Sequence, residues 1–431
     1  MGRRWRAVWV VALACALGLG ATPPIAAAHA AASAQAPAFR VIAQSAKPEF
    51  PARITFDLTV ASDGAPITAA RLFYRPIAAE ATSLAVAEVT AAQQVTIHQV
   101  VDMRANYLPP GLDLQYVWSL TDAAGNEFTT APQTFLYQDD RFPWRVVSVG
   151  QVTVYYYAGD EAFGRDILAT AQRTIVGLGT RFGVAGTRPV HIVVYGNNRD
   201  FAGSLPANSA EWIGGQAHPD LGLIVTGIAP EGGNAAEIRR IVPHEVSHLL
   251  LYEATANPYG GVPHWLDEGL AVYNQETADS SLDVLLTRAV SSGALLPTRA
   301  LNSNFPLDPT AARLSYAESV SLVRFILARY GDAKLGELLR GFGAELSPDE
   351  ALLRVFGFDT DGLDREWKAS LDYAGDRPDA TLVSASNIGI VDRALAWLGI
   401  TVPAAVLMPL LALALIIVGG LLIRRRRPLA S

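Results

Sequence analysis

The chain has 431 residues, half of them hydrophobic, with 17% charged and a formal net charge of -7. That length exceeds one ordinary core and implies two or three domains. The acidic balance argues against nucleic acid as a partner.

The N-terminus reads as an export signal over residues 1–36. Arg3, Arg4 and Arg6 precede an apolar run from Val8 to Gly20. Small-residue sites follow at Ala28-His29-Ala30 and Ala34-Gln35-Ala36. The single cysteine, Cys15, lies inside that run, so a processed chain would hold no disulfide and no thiolate site.

Residues 37–142 read as a β-sandwich domain. Ile54, Phe56, Leu58 and Val60 alternate with Thr55, Asp57 and Thr59, the period of a half-buried strand. Further short runs fall at Arg71–Tyr74, Leu84–Val89, Val95–Val101, Tyr116–Leu120 and Thr134–Tyr137. Turn signals separate them at Asp63-Gly64, Pro109-Pro110-Gly111 and Gly125-Asn126. Regular short strands of this kind suggest a sandwich. The stretch Tyr116-Val-Trp-Ser-Leu-Thr-Asp-Ala-Ala-Gly-Asn126 resembles a strand and turn of immunoglobulin-like or fibronectin type III modules.

The pattern changes near Trp144, and residues 143–375 read as a second domain. Val152 to Tyr157, Pro189 to Tyr195 and Leu221 to Ile228 are strand-like. Asp160 to Leu178 and Ala235 to Glu253 are helical, and several helices follow from Leu266. Strands first and helices after predict an α+β fold. Ser315-Tyr-Ala-Glu318 and Ser347-Pro-Asp-Glu350 read as capping boxes that open two late helices, with Gly331 and Gly357 at their ends.

Residues 376–400 read as a linker, and 401–423 as one transmembrane helix, apolar and long enough to span. Arg424 to Arg427 open a tail, 424–431, that the positive-inside rule places in the cytoplasm. The body is then extracytoplasmic, on a single-pass cell-membrane anchor. Seven arginines lie in the two ends and no Asp or Glu does, so the remainder carries -14.

The chemistry-bearing stretch is His244-Glu245-Val246-Ser247-His248. On a helix, positions i and i+4 share a face, so two neutral imidazoles can hold one Zn²⁺. Glu245 sits about 100° around the helix, where it can take a proton from a water at the metal without being a ligand. The neighbours Ile241, Val242, Val246, Leu249, Leu250 and Leu251 bury the helix, and unpartnered buried His and Glu are costly. Pro243 suggests that the active-site helix begins near Val242, after a break.

A catalytic zinc needs a third protein ligand, and Pro263-His264-Trp265-Leu266-Asp267-Glu268-Gly269-Leu270-Ala271 offers one. Here the chain resembles the gluzincins, HExxH peptidases whose third ligand is a Glu. The element Trp265-Leu-Asp-Glu-Gly-Leu-Ala271 is similar to one in aminopeptidase N-like enzymes and closer still to the peptidase MA-like family. The resemblance spans about residues 146–372. It implies a thermolysin-like zincin domain, one catalytic zinc on His244, His248 and Glu268, and Asp267 orienting one of the histidines. The spacing to Glu268 is one residue longer than in aminopeptidase N-like enzymes. No Gly-x-Met-Glu-Asn element, which binds a free amine there, precedes it. An endopeptidase acting on peptides or proteins is the expectation.

Tyr316 is the candidate oxyanion donor, though Tyr316, Val320, Val323, Leu327 and Tyr330 also share one core-facing helical stripe. Tyr273 is a second candidate. His264 and His218 could line the cleft or be loop histidines; His98 and His191 are assigned nothing. The stretch Gly214-Gly215…Gly222-Leu-Ile-Val-Thr226 reads either as an edge strand for substrate or as plain structure. A reading from another class also stands: a surface adhesion or scaffolding protein with an inactive peptidase-like domain.

Overall fold

The computed structural model describes residues 39–206, 214–231, 234–258 and 261–375. The expected signal (1–36), linker (376–400), membrane helix (401–423) and tail (424–431) lie outside them. Among the described residues no helix is long and apolar enough to cross a membrane.

The described chain divides into two units. The first comprises residues 39–75, 81–102 and 115–135. Its strands are β1 (Phe39–Glu49), β2 (Arg53–Ser62), β3 (Ile67–Pro76), β4 (Ser83–Ala87), β5 (Gln94–Asp102), β6 (Leu112–Asp122), β7 (Glu127–Thr129) and β8 (Gln133–Tyr137). One sheet runs β1-β2-β5, the other β4-β3-β6-β7 with β8 also on β6. The alternation in β2 buries Ile54, Phe56, Leu58 and Val60, as its period demands. Phe56 meets Tyr116 and Phe135 of the other sheet edge-on, at 5.1 and 5.9 Å. β1 and β7 have no counterpart in the sequence reading. β1 is an edge strand with a register shift between Val41 and Ala43, so its burial does not alternate cleanly.

The second unit comprises residues 76–80, 103–114 and 136–375. Here β9 (Arg145–Val149), β10 (Val152–Tyr156), β11 (Val190–Tyr195), β12 (Gly215–His218) and β13 (Leu223–Gly227) form one sheet, in the order β12-β13-β11-β10-β9. β10, β11 and β13 are parallel; β9 and β12 are antiparallel edges. The continuous apolar run Ile192-Val193-Val194 is buried in the interior strand β11. β13 is interior and wholly buried, so the edge strand expected between 214 and 226 is β12 alone.

The helices are α1 (Glu161–Phe182), α2 (Asn198–Ala202), α3 (Asn234–Thr255), α4 (His264–Tyr273), α5 (Ser280–Ser292), α6 (Pro309–Gly343), α7 (Pro348–Phe356) and α8 (Thr360–Ser370). α1 is capped by the Asp160 side chain on the Phe163 N–H and closed by left-handed Gly183. Its buried face and that of α3 share one apolar core with the sheet.

Two expectations about helix starts are corrected. α3 does not begin at Val242: it runs through Pro243 from Asn234. The buried apolar positions on both sides of the proline hold the helix together across the lost hydrogen bond. Ser315 opens no helix. α6 starts at Pro309 under the Asp308 cap, Ser315 Oγ donates back to the Ala311 carbonyl, and Glu318 points into the core. A mid-helix serine commonly satisfies itself on the preceding turn in this way. Gly331 does break the helical path within α6, at φ 78° and ψ 173°. The capping box at Ser347 and Glu350 and the left-handed Gly357 form as expected.

Candidate metal centre

α3 presents His244 and His248 one turn apart, their ring centroids 5.0 Å from each other and nearly perpendicular. α4 brings in the third group. It begins where Pro263 offers its carbonyl to the N–H groups of Leu266 and Asp267, and it buries Trp265, Leu266, Leu270 and Ala271. Gly269 explains the glycine after Glu268: a Cβ there would stand 2.5 Å from the Ser319 carbonyl oxygen of α6. Only glycine lets α4 lie this close to α6.

The result is convergence. Glu268 Oε2 lies 3.5 Å from His244 Nε2 and 3.8 Å from His248 Nε2. The three donor atoms all fall within 4.8 Å of one another, the one such group of His, Cys, Asp or Glu among the described residues. Donors around a tetrahedral zinc stand about 3.3 Å apart, given bonds of about 2.0–2.1 Å, so Glu268 Oε2 already stands near that distance from each imidazole. Glu268 Oε2 is buried without a hydrogen-bond partner. A buried carboxylate oxygen left open toward two imidazole nitrogens fits a cation. The donor set, two imidazoles and one carboxylate, suits zinc with an open position.

The other ring nitrogens are held from behind. His248 Nδ1 meets Asp267 Oδ1 at 2.5 Å, and His244 Nδ1 meets Gln275 Nε2 at 3.1 Å. Such outer contacts fix which nitrogen faces the metal. Burial works against charge on His248, but Asp267 first and then Glu268 and Glu245 outweigh it, lifting the imidazole to about 10. Burial also opposes charge on Glu268, yet the neighbouring imidazoles of His244 and His248 hold it at about 2. Both shifts describe a nest that stabilises opposite charges at close quarters.

Glu245 is nearly fully buried and makes no ligand contact. Burial raises its pKa, and the two histidines pull against that rise. Its carboxylate lies flat against β12: a Cβ on Gly215 would stand 2.5 Å from Glu245 Oε1. A cavity of about 230 Å³ opens beside it, lined by Gly215, Ile241, His244, Glu245, Val272 and Tyr316 among others.

Tyr316 therefore sits at the site, edge-on to Phe305 at 5.1 Å. Burial, and then the charges of Glu268, Glu245 and Asp267, push its pKa up, and its hydroxyl bonds Glu268. His264 is also brought in, with Nε2 3.8 Å from Glu268 Oε1 and its ring on Phe305. Tyr273 is not: it lines a separate groove beneath Arg181. His218 ends β12 with Nε2 buried and unbonded, its pKa lowered by burial. It does not join the three ligands. His191 bonds the Gly111 carbonyl, and His98 pairs with Asp57. Gln275 belongs to no motif and was missed, while Gly215 lies in the stretch read as a candidate edge strand, without a link to Glu245.

The family model described as Peptidase MA superfamily matches residues 170–373. No curated protein matches the sequence. Among solved structures, an aminopeptidase N family protein from Idiomarina loihiensis aligns at 12% identity and TM-score 0.31, covering 75% of this chain and 69% of that one. A polysaccharide deacetylase from Bacillus cereus aligns at 8% identity and TM-score 0.20, covering 48% and 66% respectively. Residues 170–373, which hold the three converging ligand-type side chains, are thus similar to the Peptidase MA superfamily.

Proposed function

We propose that the protein is a zinc-dependent endopeptidase with a thermolysin-like catalytic domain, anchored to the cell membrane by residues 401–423 and facing outward. The observation that carries this reading is the convergence of His244, His248 and Glu268 with Glu245 beside them and a cavity in front. When bound there, zinc supplies a Lewis acid for the scissile carbonyl and makes a water more acidic.

The chain's own groups do the rest. Glu245 accepts the attacking water's proton and hands it to the leaving amine. Its raised pKa suits a group that must both take and give a proton. Tyr316 keeps its proton over the working range and can donate to a developing oxyanion. β12, the edge of the sheet that lies against Glu245, offers backbone groups to an extended peptide. The absence of a Gly-x-Met-Glu-Asn element favours internal cleavage over removal of N-terminal residues. The outward orientation rests on the N-terminal signal pattern and the Arg424–Arg427 cluster.

The test is Glu245→Gln in the full chain, assayed on a peptide library with cleavage sites mapped. The variant should keep its zinc and lose cleavage, while the parent cuts at internal bonds. Undiminished turnover in the variant would refute the mechanism. A parent that binds no stoichiometric zinc and cuts nothing would favour the adhesion or scaffolding reading.

A further inference from the structure

Pro243 lies inside α3 and has no N–H, so the Arg239 carbonyl loses its donor from four residues on. That carbonyl is not left open. The N–H of Glu276, just beyond α4, donates to it at 2.9 Å. The two residues before Glu276 also tie to α3. Asn274 Nδ2 donates to Ser247 Oγ at 3.0 Å, and Gln275 Nε2 lies 3.1 Å from His244 Nδ1. Arg181 holds Asn274 Oδ1 from α1 at 2.9 Å. Residues 274–276 are thus a three-point clamp on the ligand-bearing helix, and the proline provides one of the points.

The clamp sets the two histidines apart. His248 is backed by a carboxylate, Asp267, and His244 by a neutral amide. A histidine that gives Nε2 to a metal carries its proton on Nδ1 and needs an acceptor there. Gln275 has one acceptor, Oε1, and it is buried without a hydrogen-bond partner. Half a turn about the last side-chain bond exchanges oxygen for nitrogen and sets it against Nδ1. Amide orientation is assigned from such networks.

Resting on the metal-centre reading, we propose that Gln275 is the positioning residue of His244. Its side-chain carbonyl accepts the Nδ1 proton and aims Nε2 at the ion, from a backbone that the Pro243-freed carbonyl of Arg239 holds in place. The neutral partner keeps metal affinity below what a second carboxylate would give.

Zinc affinity measured by chelator competition on the purified full chain tests this without any turnover. Gln275→Leu should weaken zinc about 10–100-fold, the usual cost of an outer-shell partner. Gln275→Glu, an acceptor of the same length, should bind at least as tightly as the parent. The ¹⁵N-resolved Nδ1 proton signal of His244 in the zinc form should be present in the parent and in Gln275→Glu. In Gln275→Leu it should be lost to exchange. Matching thermal midpoints of the metal-free proteins would separate misfolding from loss of the contact. If Gln275→Leu does not fold, the comparison of Gln275→Glu with the parent decides: weaker zinc binding in the glutamate variant overturns the proposal. Equal zinc affinity in all three proteins overturns the role of Gln275 and leaves the metal centre standing. A parent that binds no zinc overturns both.

Discussion

Gly215→Ala asks how closely the backbone of β12 fixes Glu245, the proposed general base. The new Cβ would stand 2.5 Å from Glu245 Oε1 and 2.8 Å from Cδ, where ordinary contacts begin near 3.4 Å. The carboxylate must therefore retreat by about 1 Å, and a misplacement of that size can cost about 10²-fold in rate. That is about 2.7 kcal/mol of transition-state stabilisation. Glu245 is otherwise buried, so its retreat is into the cavity and away from its place beside the histidines. The assay is kcat on any peptide the parent cuts, with zinc content measured on the same samples. The account expects the rate to fall about 10²-fold with zinc unchanged, because Gly215 touches no ligand. A variant with the parent's kcat would refute the idea that β12 positions Glu245.

Two further outcomes concern stability. Glu318 is fully buried, and both its oxygens share one donor, the Leu296 N–H, each at 3.2 Å. Burial raises it to about 8, against the pull of that N–H and of Lys368. The folded pKa is raised, so the favourable contribution is complete below about 4.5 and is lost as pH climbs through about 8. Fully ionised, the group costs about 5 kcal/mol. Glu318→Gln, neutral at every pH, should match the parent near pH 4.5 and exceed it by about 3 kcal/mol at pH 7, read by urea denaturation across pH. A constant difference between the two proteins from pH 5 to 9 would contradict this. Gly269→Ala should cost about 1–3 kcal/mol, as overpacking does, because the obstacle is the Ser319 backbone 2.5 Å away. An unchanged thermal midpoint would show that α4 and α6 have room to separate.

Two of the candidate metal ligands were legible because helical periodicity alone puts His244 and His248 on one face. Glu268 needed the resemblance of its surrounding element, since twenty residues of loop and helix carry no spacing rule. The strand of the core that alternates, β2, and the one that carries a continuous apolar run, β11, could be read directly. β1 and β9 could not, because edge strands bury too little to show a period. Two errors share a cause. Pro243 and Ser315 are local signals for a helix start, and in both places tertiary burial carries the helix through them. Gln275 had a signal that was available: an interior proline leaves a carbonyl without its donor, and something must supply one. Which residue does so depends on the return of α4, and that is a matter of packing.

The central claim is that His244, His248 and Glu268 hold one zinc ion. Metal analysis of the purified full chain, beside His244→Ala and Glu268→Ala, tests it most directly. The account predicts one zinc per parent chain and an affinity reduced by at least about 10²-fold in each variant. A parent without stoichiometric zinc, or variants that keep it, would contradict the account.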